Sequence, residues 1–205
     1  MSPRARASPS RMARVDLRPT TSTLADLVRG VRDDQLSGRT PCPSYSVADL
    51  LDHIGGLSVA FRVAATKEDL SGHAPSADGS RLEDGWRDRI AAALDDLGEA
   101  WQQPSAYDGM TMAGPVEMPA DLAALVALDE VTVHAWDLAV ATGQPYPADP
   151  AAVAACREFV AGFEPPPGGA ADDGGLFGPP VAVPAAAPAL DQLIGATGRD
   201  PAWTP

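Results

Sequence analysis

The segment Ala120–Gly143, ADLAALVALDEVTVHAWDLAVATG, constrains the fold of this chain more than any other. With a period of 3.6 residues, Ala123, Val126, Ala127, Glu130, His134, Leu138 and Ala141 fall on one stripe of a helix. An acid and an imidazole thus occupy positions where a core helix carries Leu or Val. A buried carboxylate without compensation costs several kcal/mol or is forced neutral, so Glu130 requires a hydrogen-bonding partner, a counter-charge or a metal ion. Glu130 and His134 lie one turn apart, about 6 Å along the axis at roughly 1.5 Å per residue, and project side by side. Together they can grip one ion if the chain supplies a third ligand.

The flanking sequence reads as helices as well. A first helix is expected from Pro19 to Leu36, with Leu24, Leu27, Val28 and Val31 on one face and Pro19 in its opening turn. Ser37–Ser46 is a linker, with Gly38 as helix stop and Pro41 and Pro43 holding it extended. Ser46, with Asp49 three residues on, forms a capping-box entry to a second helix carrying Leu50, Leu51, Ile54, Leu57 and Phe61 at helical spacing. Gly55 and Gly56 inside that helix permit close packing or close approach of a ligand, or mark a local bend. A third helix from Arg81 to Trp101 places Trp86, Ile90, Leu94, Leu97 and Trp101 on a fully apolar face. Gln102–Pro119 is expected to be an irregular connection covering one end of the helices. Gly143 and Pro145 stop the organising helix, and a shorter one follows from Pro150 to Phe163. The Pro- and Gly-rich run beyond it excludes regular structure until a last helical turn or two at Leu190–Ala196, with Leu176, Phe177, Val181 and Val183 lying extended across the helices. No strand pattern that would sustain a sheet is evident, so the fold class is all-α.

Three segments are expected: a disordered basic tail over residues 1–14, a helical body over 15–163, and a Pro/Gly-rich tail over 164–205 with a short terminal helix packed on that body. The tail Met1–Arg14 has too few apolar groups to offset its ordering entropy. It reads as an extension upstream of a start at Met12 sooner than as a basic arm for nucleic acid. The net charge of −13 argues against phosphate backbones and anionic lipid, both of which need a contiguous basic surface. No apolar run of about 18 residues and no signal-peptide core are present, so a cytoplasmic protein is expected. The two cysteines, Cys42 and Cys156, lack CxxC spacing, which excludes a Cys-rich zinc site.

Among the three histidines, His73 lies in a polar loop with no ligand pattern and is set aside as solvated. His53 is the candidate third ligand, because it sits on an apolar face of a helix able to pack against Glu130 and His134. Two imidazoles and a carboxylate suit zinc, iron or nickel and leave positions open to water or substrate. Asp137, one turn beyond His134, either accepts a hydrogen bond from the non-ligating ring nitrogen or stands on the surface. Cys42, between Pro41 and Pro43 at a helix N-terminus, is either a thiolate nucleophile or a small apolar plug. No catalytic residue is assigned.

TPCPSYSVADLLDHIGG and DEVTVHAWDLAVATG resemble two signatures of the actinobacterial mycothiol-dependent maleylpyruvate isomerase family. The first is TPC, an aromatic residue, then VxDLLxH; the second is ExxxHxWDLAxATG. The tail LDQLIGATGRDPAW resembles that of an uncharacterised metal-binding subgroup. The resemblance implies a DinB-like four-helix bundle in up-down-down-up order, metal ligands at His53, Glu130 and His134, and mycothiol as a possible cofactor beside a divalent ion, zinc being expected. Tyr45 stands where the signature usually has Trp and, with Cys42, marks a possible pocket. The residues after Phe163 are too few to build the separate C-terminal domain of the isomerase. The expected function is addition or transfer of a small thiol to an electrophilic substrate, of isomerase or S-transferase type, with a non-catalytic metal-binding sensor or interaction module as the alternative. Cations are scarce on the predicted site helices, so a neutral or weakly charged electrophile is expected.

Overall fold

The computed structural model describes residues 14–68, 77–162 and 177–205. Among the described residues six α-helices carry the fold: α1 (Arg18–Gly30), α2 (Val47–Thr66), α3 (Trp86–Ala100), α4 (Ala120–Thr142), α5 (Pro150–Ala161) and α6 (Ala189–Ala196). The expected disorder of the N-terminal tail, the loop around His73, and Leu176 all lie outside the described residues. No helix among the described residues is long and apolar enough to cross a membrane.

Side-chain caps set the starts of α2 and α5. Ser46 accepts from the Asp49 backbone N–H at 3.2 Å while the Asp49 carboxylate accepts from that of Ser46 at 2.9 Å, which satisfies two of the unpaired donors that open a helix. Asp149 caps α5 by accepting from the backbone N–H groups of Ala151 and Ala152, ahead of Pro150. Helix ends depend more on tertiary contacts. The first helix stops at Gly30, short of the expected Leu36, and Asp33–Gln35 forms a separate 3₁₀ turn. The cause is Gln144, whose amide donates to the Leu27 carbonyl at 3.0 Å and fills the space a Cβ at Gly30 would take. Gln35 in turn donates to the Thr142 carbonyl at the end of α4, so two glutamines close the C-terminal turns of α1 and α4.

The helices α1 and α2 each pack between α3 and α4, α5 covers α4, and α6 rests on α5. Leu24, Leu50, Leu51, Ile54, Leu94, Leu97, Leu128 and Leu138 are fully buried where they meet. The expected apolar face of α3 is core throughout, from Trp86 to Trp101. Gly55 takes the close-packing role, since a Cβ there would touch Ile90 of α3 at 3.3 Å; Gly56 meets nothing within 4 Å. The outer side of α4 is sealed by a second cluster of Val133, Trp136 and Ile194, with Tyr146, Leu190 and Trp203 against it. In consequence α4 is buried all round instead of along one stripe, and from Val126 to Ala139 Glu130 alone keeps partial exposure.

One expectation needs correcting. Within Gln102–Pro119 the chain forms an antiparallel hairpin, β1 (Met110–Ala113) and β2 (Val116–Pro119). Its turn is Gly114–Pro115, with Gly114 at φ 59°. Pro115 holds its own φ negative, which excludes the I′ turn and leaves II′ with Gly at its first position. The four-residue strands are too short for an alternating pattern to stand out, and Thr111 anchors β1 by donating to the Ala64 carbonyl of α2 at 2.6 Å.

Candidate metal centre

His53 is carried on α2 just beyond the capped N-terminus, and Glu130 and His134 are carried on consecutive turns of α4. The pairing of α2 with α4 faces them toward one another. Nε2 of His134 lies 3.1 Å from Oε2 of Glu130, and Nε2 of His53 lies 3.9 Å from the same oxygen. The two imidazoles meet edge to face with ring centres 4.9 Å apart. One donor atom from each of the three residues lies within 4.8 Å of the others. His134 is buried, while the side chains of His53 and Glu130 remain 31% and 21% exposed, so the cluster opens on one side.

Behind His134 lies a second polar layer. Asp137 is fully buried, not a surface residue, and its Oδ2 is 2.9 Å from Nδ1 of His134. A carboxylate only accepts, so Nδ1 carries the proton. Arg199, from the segment after α6, donates Nε to Oδ1 and Oδ2 of Asp137 at 2.9 and 3.1 Å and Nη2 to Oδ2 at 3.0 Å. Cys42 sits at the edge of this layer, its Sγ 3.4 Å from Oδ2 of Asp137 and 3.5 Å from Nη2 of Arg199. Cys42, His134 and Asp137 also have donor atoms within 4.8 Å of one another. The guanidinium occupies the cationic position beside Asp137, whereas among the described residues His53, Glu130 and His134 form the second group whose donor atoms lie close enough to share an ion.

The electrostatics follow from this layering. Burial alone would raise the Glu130 carboxyl, yet the imidazoles of His134, 3.1 Å away, and of His53 beside it hold it below the ordinary carboxylate range. Burial alone would lower His134, yet the acceptors Asp137, Cys42 and Glu130 hold it well above the ordinary imidazole range. On the far side of α4, Asp129 is buried with Oδ1 unpartnered, and burial, with the Glu130 charge adding to it, pushes its carboxyl up to about 7.

A cavity of about 960 Å³ adjoins His53 and Glu130. Its walls come from α2 (Gly55, Gly56, Val59, Ala60), α3 (Ile90, Ala93) and the hairpin tip (Ala113–Pro115). Tyr45 and Cys42 do not line the cavity: the Tyr45 ring packs 5.6 Å from His53, and Cys42 faces Arg199. Sequence reasoning missed three cations, Arg81 and Arg89 on the cavity and Arg199 behind the centre. For Arg199 the available signal was Asp137 itself, a carboxylate on a helix apolar enough to be buried, which calls for a counter-charge from elsewhere in the chain.

Residues 17–139 match the family described as the mycothiol maleylpyruvate isomerase N-terminal domain. Uncharacterised proteins from two strains of Mycobacterium tuberculosis are each 32% identical over 181 residues, which cover 85% of this chain and 91% of theirs. Among solved structures, the crystal structure of the mycothiol-dependent maleylpyruvate isomerase superposes with a TM-score of 0.55 at 19% identity, and a mutant of that enzyme does so at 18%. The match covers 70% of this chain and 66% of the isomerase, and at that identity it speaks for the fold. On the extent of the family match, the chain belongs to the mycothiol maleylpyruvate isomerase N-terminal domain family.

Proposed function

We propose that this protein binds one divalent metal ion at His53, Glu130 and His134, within a four-helix bundle of DinB type formed by α1–α4, and uses it in thiol-dependent chemistry on a small electrophile. The observation that carries the reading is Glu130: on a helix otherwise buried from Val126 to Ala139, the one partly exposed side chain is a carboxylate beside two imidazoles at the edge of a cavity.

The donor set fits such an ion. Tetrahedral zinc with bonds of about 2.0–2.2 Å keeps its ligand atoms about 3.3 Å apart, and the 3.1 and 3.9 Å separations here lie on either side of that value. Glu130 and Asp137 set two carboxylates against His134, surroundings that favour a cation at the group. Three protein ligands leave open positions, the pattern of reactive more than structural zinc. When bound, the ion supplies Lewis acidity that keeps a coordinated thiol as thiolate at neutral pH.

The chain's own residues prepare the site. Asp137 fixes the orientation of His134 and leaves Nε2 to face Glu130. His53 and Glu130 present their donors at the cavity edge. The apolar walls of Gly56, Leu57, Val59, Phe61 and Ile90 suit an apolar substrate body. Mycothiol, named in the family and in the similar isomerase, is the thiol this reading takes; the reaction is isomerisation or S-transfer.

The test is thiol-dependent loss of an electrophile such as monochlorobimane by purified protein, with and without chelator. Turnover that needs both thiol and metal is the expected result. Metal binding without thiol-dependent turnover would reduce the protein to a metal-binding sensor or interaction module.

A further inference from the structure

Asp137 is 0% exposed, and a carboxylate in that position is tolerated only with strong compensation. Arg199, 62 residues further along the chain, supplies it through a fork of three contacts at 2.9–3.1 Å. The guanidinium is also held from its own side. The Arg199 backbone N–H donates to the Ile194 carbonyl at 3.1 Å, and Nη1 donates to the Thr197 carbonyl at 3.2 Å. The turn that aims it inward passes through Gly198, at φ 87°, where a Cβ would stand 2.8 Å from the Gly178 backbone. Ile194 and Leu193 of α6 anchor the segment in the core. The C-terminal segment is thus built to deliver one arginine to one carboxylate, and that carboxylate touches His134.

We propose that Arg199 is a positioning residue of the metal centre: by clamping the Asp137 carboxylate in one orientation, it fixes the His134 ring with Nδ1–H toward Asp137 and Nε2 toward Glu130. Lysine cannot reproduce the effect, because a single ammonium lacks the planar fork that holds both carboxylate oxygens at once. Without the clamp the carboxylate is free to rotate, and the ring it orients loses its fixed direction. Loss of an outer partner of this kind lowers metal affinity about 10–100-fold.

The effect on affinity rests on the metal reading above, whereas the effect on the imidazole does not, and two measurements on the full chain separate them. The first is Zn²⁺ affinity by competition with a chromophoric chelator, for wild type, Arg199→Ala, Arg199→Lys and, as a control that loosens the core on α1 without touching the clamp, Val28→Ala. The second is the ring nitrogen and Nδ1–H signal of His134 by NMR on metal-free protein. Expected are a slowly exchanging Nδ1–H in wild type and Val28→Ala that is lost in Arg199→Ala and weakened in Arg199→Lys. Zn²⁺ affinity should fall about 10–100-fold in Arg199→Ala, fall less in Arg199→Lys, and stay at the wild-type value in Val28→Ala. If Arg199→Ala does not fold, Arg199→Lys decides on the same two readouts. An Arg199 variant with wild-type Zn²⁺ affinity and an unchanged His134 Nδ1–H overturns the proposal. If wild type itself binds no Zn²⁺, the metal reading fails, and the His134 signal still decides the role of Arg199.

Discussion

Nε2 of His134 stands 3.1 Å from Oε2 of Glu130, one turn back along α4. Glu130 faces the edge of the cavity, where α2 adds His53, and His134 lies buried behind it. Purified protein is therefore expected to carry about one divalent ion per chain, zinc first among the candidates on donor chemistry. Elemental analysis beside His53→Ala and His134→Ala should show the ion lost or strongly reduced in both. Full retention in the two variants would end the assignment.

Gly56 is a helix-interior glycine that no packing contact demands, since a Cβ there meets nothing within 4 Å and the residue faces the cavity. Gly56→Ala should stabilise the protein by up to about 1 kcal/mol in thermal or urea unfolding, the usual gain of alanine over glycine inside a helix. Gly56→Leu should fill part of the cavity and depress thiol-dependent turnover while leaving metal content unchanged. Wild-type turnover in Gly56→Leu would show that substrate binds elsewhere. Gly55→Ala, whose Cβ would press on Ile90 at 3.3 Å, should gain less or lose stability.

The charge around the cavity bears on substrate choice. Arg81 and Arg89 line it, but so do Asp52, Glu83 and Glu130, and Arg81 is paired with Asp52 at 2.6 Å. Apart from the ion itself, the two arginines are outnumbered by three carboxylates, so with the net charge of −13 a dianion finds no excess of cationic side chains to dock against. Metal-loaded protein supplied with mycothiol should turn over neutral electrophiles faster than maleylpyruvate. Efficient isomerisation of maleylpyruvate with little activity on a neutral panel would refute this.

The loop before α3 is tied to α2 through Asp49, whose carboxylate accepts from the backbone N–H groups of Ser46 and of Gly79, the latter at 2.7 Å. The Ser46 hydroxyl first, then those backbone donors, hold the Asp49 carboxyl below the ordinary carboxylate range. A lowered folded-state value means the contribution to stability is present above the unfolded value, about 3.9, and is lost as pH falls through the folded one. Asp49→Asn should lower stability at neutral pH and flatten the acid limb of the stability profile below about pH 5. Ser46→Ala should cost about 1 kcal/mol, as removal of an N-cap does. An Asp49→Asn profile parallel to wild type would contradict the assignment.

What the sequence by itself determined is what neighbours along the chain decide. The capping box of Ser46 and Asp49, the apolar period of α3 from Trp86 to Trp101, and the stop at Gly143 are written within one or two turns of the residues they affect. Glu130 and His134 belong here too, because a spacing of four in a helix sets two side chains together whatever surrounds them. His53 was reachable as a ligand candidate from its place on an apolar face, but its 3.9 Å approach to Glu130 depends on how α2 packs against α4. Tertiary structure alone decided the rest. Asp137 was equally readable as a surface acid until α5, α6 and the C-terminal segment covered α4, and the arginine that balances it stands 62 residues away. The end of α1 at Gly30 was set by Gln144, and the cavity by α2, α3 and a hairpin whose strands are too short to announce themselves. The physical division is between backbone hydrogen bonding and side-chain periodicity, which act over a few residues, and compensation of buried charge, which draws on whatever group the folded chain brings within about 3 Å.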